Sequence, residues 1–362
     1  MWSCAGRIRR VLTTAATLTA VALVGCDGSA APSHSAVRPT EPSPSPQWLS
    51  ATPGEDVLVV PVGNGVPSRL DIVDWSGHDV GTIRNPGASG VPAKFSGTAP
   101  DGASFVSTED GIRSLTGSTL GSVTGQWMWA DDSAHLCELQ SVAPASPVSA
   151  QMHYVTLGKS ATTLGTVEAK ANGTTIVPLL GSCSASHNLL SVIFDSLSWT
   201  TEVDEYSISP FRLVRSINLS NDQVLVSTVS EDGAYMVEEV GLSPAQAGPP
   251  TGIGVSSRVV RVSDMVAVAS YSGQSAVMSA NDETVLTQTL PASSSGRVEV
   301  WLLGGSSPVA TFAGQFTSLA RRPESGDVFL AVTTGSVGDN PFDGTRTLIV
   351  QADGTVVPVT LE

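Results

Sequence analysis

Charged side chains are scarce in this sequence, and positive ones most of all. Only 14% of the 362 residues are charged, and 33 Asp and Glu residues outnumber 18 Lys and Arg residues, for a net charge of -15. The sequence contains no cluster of basic residues, so the chain should be repelled by phosphate groups. We therefore expect no nucleic-acid partner.

The sequence also lacks the catalytic and cofactor motifs that spacing can reveal. It has no Gly-x-Ser-x-Gly, Ser-x-x-Lys, His-Glu-x-x-His or Gly-x-Gly-x-x-Gly pattern. Gly158-Lys159-Ser160 is similar to the end of a phosphate-binding loop, but His153 stands where that loop needs a glycine. We interpret this stretch as a hairpin turn, and we expect no cofactor and no metal.

Cysteine is rare, with four residues in the whole chain. Cys4 and Cys26 belong to the N-terminal segment, which leaves Cys137 and Cys183 as an isolated pair. In an oxidising compartment such a pair is expected to form one disulfide, the alternative being two buried free thiols. Metal binding by the pair is disfavoured because no Cys-x-x-Cys spacing is present.

The N-terminal segment has the layout of a secretory signal. Arg7, Arg9 and Arg10 precede an apolar run over residues 11–24. That run is shorter than the roughly 20 apolar residues that a transmembrane helix needs.

The end of this run, Leu23-Val24-Gly25-Cys26, resembles the lipobox of bacterial prolipoproteins. The resemblance implies a signal peptide over residues 1–25, cleavage before Cys26, and fatty acyl chains such as palmitate on Cys26. Two or three acyl chains give lasting membrane attachment. The implied location is the outer face of the bacterial cytoplasmic membrane. The alternative is an ordinary secretory signal in which Cys26 is incidental.

The segment that follows is predicted to be a flexible tether over residues 26–50. It is rich in proline and serine and has almost no apolar content before Trp48 and Leu49. Such composition favours a disordered or polyproline-like chain. The folded domain is therefore predicted to span residues 51–362.

Short β-branched runs separated by turns fill this domain, and no helical periodicity is sustained. Examples of predicted strands are 57–60, 70–73, 224–226, 265–269 and 328–332. Hairpins end near Ile83, Val123, Val167, Ile217, Phe312 and Val359. Their steps of about 40 to 50 residues are typical of four-stranded propeller blades, and the one gap of 95 residues, between Ile217 and Phe312, is about two blade lengths.

Two turn sequences, Ala99-Pro100-Asp101-Gly102 and Trp129-Ala130-Asp131-Asp132-Ser133, carry a further resemblance. They resemble the strand-turn-strand signature of bacterial β-propellers related to WD repeats and TolB-type domains. We predict an all-β domain, a single propeller of seven four-stranded blades, with six or eight blades as alternatives. The rival architecture is a pair of β-sandwiches.

Candidate site residues are few, and each also has a purely structural interpretation. Asp131, Asp132 and His135, together with His153 and His187, could form a metal or acid-base site, or the two acids could cap their own turn.

Two tryptophans and an acidic stretch complete the set of residues that stand out in the sequence. Trp127 and Trp129 share one face of a strand and could serve recognition or core packing. The acidic stretch 202–205 is expected to lie in a solvated loop.

The function that these features favour is binding. We expect a lipid-anchored extracytoplasmic propeller that binds or scaffolds a protein, a peptide or an envelope glycan, and that meets the membrane only through the acyl chains on Cys26. The alternative is an envelope hydrolase, lactonase or lyase with its site at the mouth of the propeller channel.

Overall fold

The protein is a seven-bladed β-propeller. The computed structural model describes residues 45–62, 69–84, 97–106, 111–141, 149–169, 176–196, 199–219, 222, 224–240, 256–278, 284–289, 296–322, 325, 327–333 and 345–359. These residues form 27 strands in seven antiparallel sheets and contain no helix. The prediction of one all-β propeller is confirmed, and seven is the blade count.

Each blade is an antiparallel meander whose strands pair in chain order. Blade 1 contains β1 (Val57–Val62), β2 (Arg69–Asp74) and β3 (Asp79–Arg84). Blade 2 contains β4 (Gly97–Thr98), β5 (Ser104–Val106), β6 (Gly111–Ser114) and β7 (Thr119–Ser122). Blade 3 contains β8 (Gln126–Trp129), β9 (His135–Ser141), β10 (Ser149–Thr156) and β11 (Thr162–Glu168). Blade 4 contains β12 (Val177–Ser184), β13 (Leu189–Asp195), β14 (Thr200–Ser207) and β15 (Arg212–Asn218).

The remaining three blades repeat this order. Blade 5 contains β16 (Leu225–Val229), β17 (Tyr235–Val240), β18 (Ser256–Arg261) and β19 (Val266–Tyr271). Blade 6 contains β20 (Gln274–Met278), β21 (Thr284–Thr289), β22 (Arg297–Leu302) and β23 (Ala310–Ala313). Blade 7 contains β24 (Gln315–Arg321), β25 (Val328–Thr333), β26 (Thr345–Val350) and β27 (Val356–Val359).

Burial rises from the outer strand of each blade to its middle strands. In blade 4 every residue of β14 is buried, whereas every residue of β15 is exposed or half-buried. The middle strands are covered on both faces because each blade packs between two others. This explains why the run from Leu190 to Phe194 is buried on both faces and almost entirely apolar instead of alternating.

Seven apolar clusters fill the seven junctions between blades. Each cluster draws residues from two neighbouring blades, as where Leu136 and Trp129 of blade 3 pack with Val106 and Ile112 of blade 2. The ring closes where Leu58 of blade 1 meets Phe329 of blade 7. Since fully burying one such side chain contributes about 1.5–3 kcal/mol, these junctions hold the ring together.

One junction also carries a covalent link. Cys137 of β9 and Cys183 of β12 form a disulfide with a Cα–Cα distance of 6.0 Å, which joins blade 3 to blade 4. The predicted disulfide between neighbouring blades is therefore confirmed.

The outer strands of blades 1 to 5 share a one-residue bulge. In each of them the register skips an apolar residue, namely Val80, Leu120, Leu164, Val214 and Val268. Bulges twist an edge strand away from regular pairing, so these edges are protected against unwanted sheet extension.

Residues 45–50 lie against the outside of blades 1 and 2. Gln47 and Arg84 exchange two backbone hydrogen bonds of 2.9 and 3.1 Å, and the Leu49 amide donates to the Leu115 carbonyl at 3.1 Å. Trp48 stacks on Phe105 with ring centroids 6.2 Å apart. The described chain therefore begins on the rim at the junction of blades 1 and 2.

The predicted signal peptide 1–25, Cys26 and the tether as far as residue 44 lie outside the described residues. Within the part of the chain that the structure describes, no helix has the length and apolar character needed to cross a membrane.

Candidate functional site

The predicted acidic residues lie in the turn between β8 and β9, at the junction of blades 3 and 4. The turn closes through Ser133, whose φ of 58° is left-handed, as is that of Gly102 (φ 75°) in the matching turn of blade 2. Asp132 accepts hydrogen bonds from the amides of Ala134 at 3.1 Å and His135 at 3.2 Å. Asp132 thus caps its own turn, as one of the two interpretations predicts.

Asp131 points across the junction and holds the corresponding turn of blade 4. It accepts hydrogen bonds from the Ala185 amide at 2.6 Å, the Ser184 hydroxyl at 2.9 Å and the Ser186 hydroxyl. Burial by itself raises the pKa of Asp131, but these donated hydrogen bonds outweigh it and hold the pKa below its ordinary value. The ionised carboxylate therefore links two blades.

His135 forms a small cluster with Asp132 and Tyr154. Its Nδ1 lies 2.6 Å from Asp132 Oδ2, and its ring stacks on Tyr154 with centroids 4.6 Å apart and planes at 12°. Burial, followed by the charges of Asp132 and Asp131, raises the pKa of Tyr154 to about 12. An imidazole oriented by a carboxylate and partly exposed has the arrangement of a general base.

The other histidines named by the sequence lie with different partners. His153 Nδ1 lies 3.3 Å from the Thr163 hydroxyl, and the His187 amide donates to Ser184 Oγ at 3.1 Å. Among the described residues, no three His, Cys, Asp or Glu side chains are grouped to hold a metal ion.

Trp127 and Trp129 lie at the junction of blades 2 and 3. Trp129 is buried there among Ile112, Val123 and Leu136, and Trp127 packs half-buried against the same cluster. Both indoles contribute to the packing between blades, and a part in recognition stays a prediction.

The acidic stretch 202–205 is not a solvated loop, and that expectation is wrong. Glu202, Asp204 and Glu205 all lie in β14 and are buried. Glu205 is neutralised by Arg215 on the next strand, with Oε1 to Nη2 at 2.7 Å and Oε2 to Nε at 2.9 Å. Burial raises the pKa of Glu205, and the hydrogen bonds and charge of Arg215 oppose that rise.

A second surface, which sequence reasoning did not identify as functional, lies on the rim of blades 4 and 5. Large apolar side chains are exposed there to between 36% and 54%. They are Leu213 and Val214 on β15, Met265 in the turn before β19, and Val266 and Val268 on β19. One feature of the sequence could have indicated this surface. The run Met265 to Ala269 is predicted to be a strand, yet no polar residue alternates with its apolar ones.

The solved structures similar to this chain include two peptidases and a protein of another kind. Acylaminoacyl peptidase from Pyrococcus horikoshii matches with a TM-score of 0.48 and 9% identity, over 81% of this chain and 47% of that one. Prolyl oligopeptidase B from Galerina marginata matches with a TM-score of 0.46 and 12% identity, over 73% and 41%. The protein U3-55K matches with a TM-score of 0.43 and 11% identity, over 86% and 85%.

The chain spans less than half the length of the two peptidases. At these identities no activity is carried over from them. No protein-family model and no curated protein matches the sequence.

Proposed function

We propose that the protein is a lipid-anchored extracytoplasmic β-propeller that acts as a binding or scaffolding module. Acyl chains on Cys26 hold it to the outer face of the bacterial cytoplasmic membrane, and the segment after Cys26 connects the anchor to residues 45–50 on the ring. Its partner is a protein, a peptide or an envelope glycan.

The observation that supports a binding function is the apolar rim of blades 4 and 5. Exposed apolar side chains grouped on one part of a surface are typical of interaction sites. Five of the eight large apolar side chains exposed in the described chain belong to β15, β19 or the turn before β19. A module that presents such a rim gains stability when a partner covers it.

The location is tested by following Cys26 in cells. Membrane fractionation should find the wild-type chain with the membrane and the Cys26→Ala chain in the soluble extracytoplasmic fraction. Mass spectrometry of the N-terminal peptide should find acyl chains on Cys26. An unmodified Cys26 thiol in the mature chain would contradict the proposal.

The second candidate is an envelope hydrolase, lactonase or lyase, and the Asp132–His135 pair favours it. A His135→Gln variant would lose such activity while keeping the stacking position on Tyr154. Assays with ester, lactone and glycan substrates, run on the wild type and this variant together, separate the two functions.

A further inference from the structure

The first strands of neighbouring four-stranded blades meet around the axis of the ring. The Leu180 amide on β12 donates to Gln126 of β8 at 2.7 Å, and the Ser227 hydroxyl on β16 donates to the Ala276 carbonyl of β20 at 3.2 Å. The fourth strands lie at the rim, where burial is lowest. In blades 2 to 7 the first strand is therefore the inner strand of a four-stranded sheet.

Blade 1 lacks this inner strand among the described residues. Its sheet has three strands, β1–β3. The bulge at Val80 in β3 is the one that the fourth strands of blades 2 to 5 carry, so β3 is a fourth strand and β1 is a second strand. Leu58 of β1 also packs against the preceding blade, as the second-strand residues Leu136 and Met236 do. No described strand pairs with β1 on the side of the axis.

The residues just before β1 have the sequence of an inner strand and its turn. The stretch that leads from the inner to the second strand of blade 2 is Phe95-Ser96-Gly97-Thr98-Ala99-Pro100. It has an aromatic residue at the first position, small residues from the third to the fifth, and proline four residues before the second strand. Trp48-Leu49-Ser50-Ala51-Thr52-Pro53 has the same pattern, and Pro53 likewise stands four residues before β1.

The spacing along the chain fixes how this segment would pair with β1. In all six four-stranded blades, a residue of the inner strand pairs with the residue nine positions later on the second strand. The pairs are Gly97–Val106, Met128–Cys137, Ser182–Ser191, Thr228–Val237, Val277–Leu286 and Ala320–Phe329. The same separation in blade 1 pairs Ser50 with Val59, so the register of an inner strand there is already determined.

In the structure this segment lies at the rim instead. A single bridge, between Gln47 and Arg84, joins it to a described strand, and Trp48 stacks on Phe105. Residues 50 and 51 are exposed. The rim position fits the indole closely, whereas the inner position offers a ladder of backbone hydrogen bonds with β1. The two positions exclude each other because the same residues fill both.

We propose that residues 48–51 exchange between the rim position and an inner position, in which they pair with β1 as the fourth strand of blade 1. The exchange is a device that leaves blade 1 open on the side of the axis or completes it. It also moves the point at which the preceding chain reaches the ring, from the rim to the axis. This inference depends neither on the lipid anchor nor on a binding partner.

Two cysteine pairs report the two positions. Gln47→Cys/Arg84→Cys spans the rim position, and Ser50→Cys/Val59→Cys spans the inner one. Residues paired across an antiparallel ladder lie within the Cα distance that a disulfide needs. Ser50→Cys/Val237→Cys is the matched control, since Val237 is buried on β17 at the position that Val59 has on β1.

Each double variant is purified as the mature, full-length chain in detergent micelles and oxidised with copper phenanthroline. Cleavage after Glu55 separates residue 50 from residue 59, so mass spectrometry of the joined peptides reports the disulfide. Both the rim and the inner disulfide should form, because crosslinking traps even a minor conformation. The inner disulfide should form at least about tenfold faster than the control disulfide.

A second pair of variants tests whether the two positions compete. Gly117→Ala crowds Trp48 at the rim and should speed formation of the inner disulfide by about tenfold. Gly158→Ala, in the matching turn of blade 3, has no atom within 4 Å of the added Cβ and should leave that rate unchanged. Thermal melting confirms folding, and Ala51→Cys/Leu58→Cys, in the same register, replaces the inner pair should Val59→Cys unfold.

Three outcomes overturn the inference. The first is an inner disulfide that forms no faster than the control while the rim disulfide forms completely, which leaves the segment at the rim. The second is a complete inner disulfide without any rim disulfide, which places the segment beside β1 permanently. The third is an inner disulfide whose rate Gly117→Ala does not change, which shows that the positions do not compete. Failure of the Cys26 fractionation contradicts the anchor and leaves these results unaffected.

Discussion

The indole of Trp48 lies directly over Gly117 in the turn between β6 and β7. A Cβ added at Gly117 would lie 2.6 Å from three atoms of the Trp48 ring, closer than side chains can approach. The segment before the first blade is therefore fitted to the second blade at a position that admits only glycine.

Replacing Gly117 by alanine should detach this segment. Gly117 has a φ of 87°, and Gly158 in the matching turn of blade 3 has a φ of 74° with no atom within 4 Å of an added Cβ. Both alanine variants should lose about 1 kcal/mol for the left-handed conformation. Gly117→Ala should lose about 1–3 kcal/mol more, because Trp48 must move.

Thermal melting and Trp fluorescence measure this difference, and limited proteolysis near residue 48 reports detachment. Equal stability of the two alanine variants would show that Trp48 does not depend on Gly117.

Removing the disulfide should destabilise the ring at one junction. Cys137 and Cys183 are separated by 46 residues, and closing a loop of that length contributes about 4 kcal/mol on the chain-entropy model. The Cys137→Ala/Cys183→Ala variant should therefore unfold at lower denaturant concentration, measured by urea titration. Dithiothreitol should lower the stability of the wild type and leave the double variant unchanged.

Asp131 should make the stability of the folded protein depend on pH. Its folded pKa lies below the ordinary value of 3.8, so the ionised carboxylate adds stability above about pH 4 that is lost as pH falls through the lowered pKa. Asp131→Asn should cost about 2 kcal/mol at neutral pH, because hydrogen bonds to a charged acceptor are lost.

The stability of the Asp131→Asn variant should approach that of the wild type as the pH is lowered to about 3. Thermal melting of both proteins across this range checks the convergence. Parallel curves would show that ionised Asp131 does not stabilise the junction.

Removing the cation of the Arg215–Glu205 ion pair should destabilise the protein more than breaking an ion pair between two exposed side chains. Glu205 is 2% exposed and Arg215 is 35% exposed, so Arg215→Gln leaves a buried carboxylate without its cation. We expect a loss of about 3 kcal/mol at neutral pH. Arg212→Gln, on the same strand at an exposed position, is the control and should change stability little.

Because burial already raises the pKa of Glu205, acid should protonate it and shrink the Arg215→Gln defect. Urea titrations at neutral and acidic pH measure this, and a defect that does not change with pH would contradict the assignment.

Met265→Gly should stabilise the isolated protein by about 1 kcal/mol, since glycine adopts a φ of 57° without steric cost. Thermal melting measures the gain, with Met265→Ala as the control that keeps the unfavourable conformation. A loss of stability in Met265→Gly would mean that the methionine side chain makes contacts that outweigh its backbone cost.

The sequence predicted the propeller because its hairpins repeat at regular intervals. The predicted hairpin ends coincide with the ends of six outer strands, from Ile83 in β3 to Val359 in β27. The hairpin of β18 and β19 was not recognised. The turn before β19 has Ser263 and Asp264, which favour turns, but Met265 takes the left-handed conformation there in place of the glycine that marks such a turn in five other blades.

The contacts between blades could not be predicted from the sequence. Asp131 binds the turn around Ala185, which lies 54 residues away in the chain. The acids of β14 were predicted to be solvated because their partners are not adjacent acids and bases in the sequence. Arg215 on the following strand pairs with Glu205, Ser216 donates to Glu202, and Tyr206 donates to Asp204. Carboxylates with no adjacent basic residue resemble solvated acids unless the strand pairing is known.

The closing junction between blades 7 and 1 is held by side chains, through apolar packing and an ion pair of 4.0 Å between Arg322 and Asp56. Leu58, Trp75 and Phe329 meet there, the four strands of β24–β27 all come from the C-terminal end, and β1–β3 come from the N-terminal end. The first and last blades thus meet without a shared sheet, whereas blades 3 and 4 are joined by a disulfide. When the molecule is heated, separation should start at this seam and spread from there, so amide exchange in β1 and β25 should precede exchange in β9 and β12.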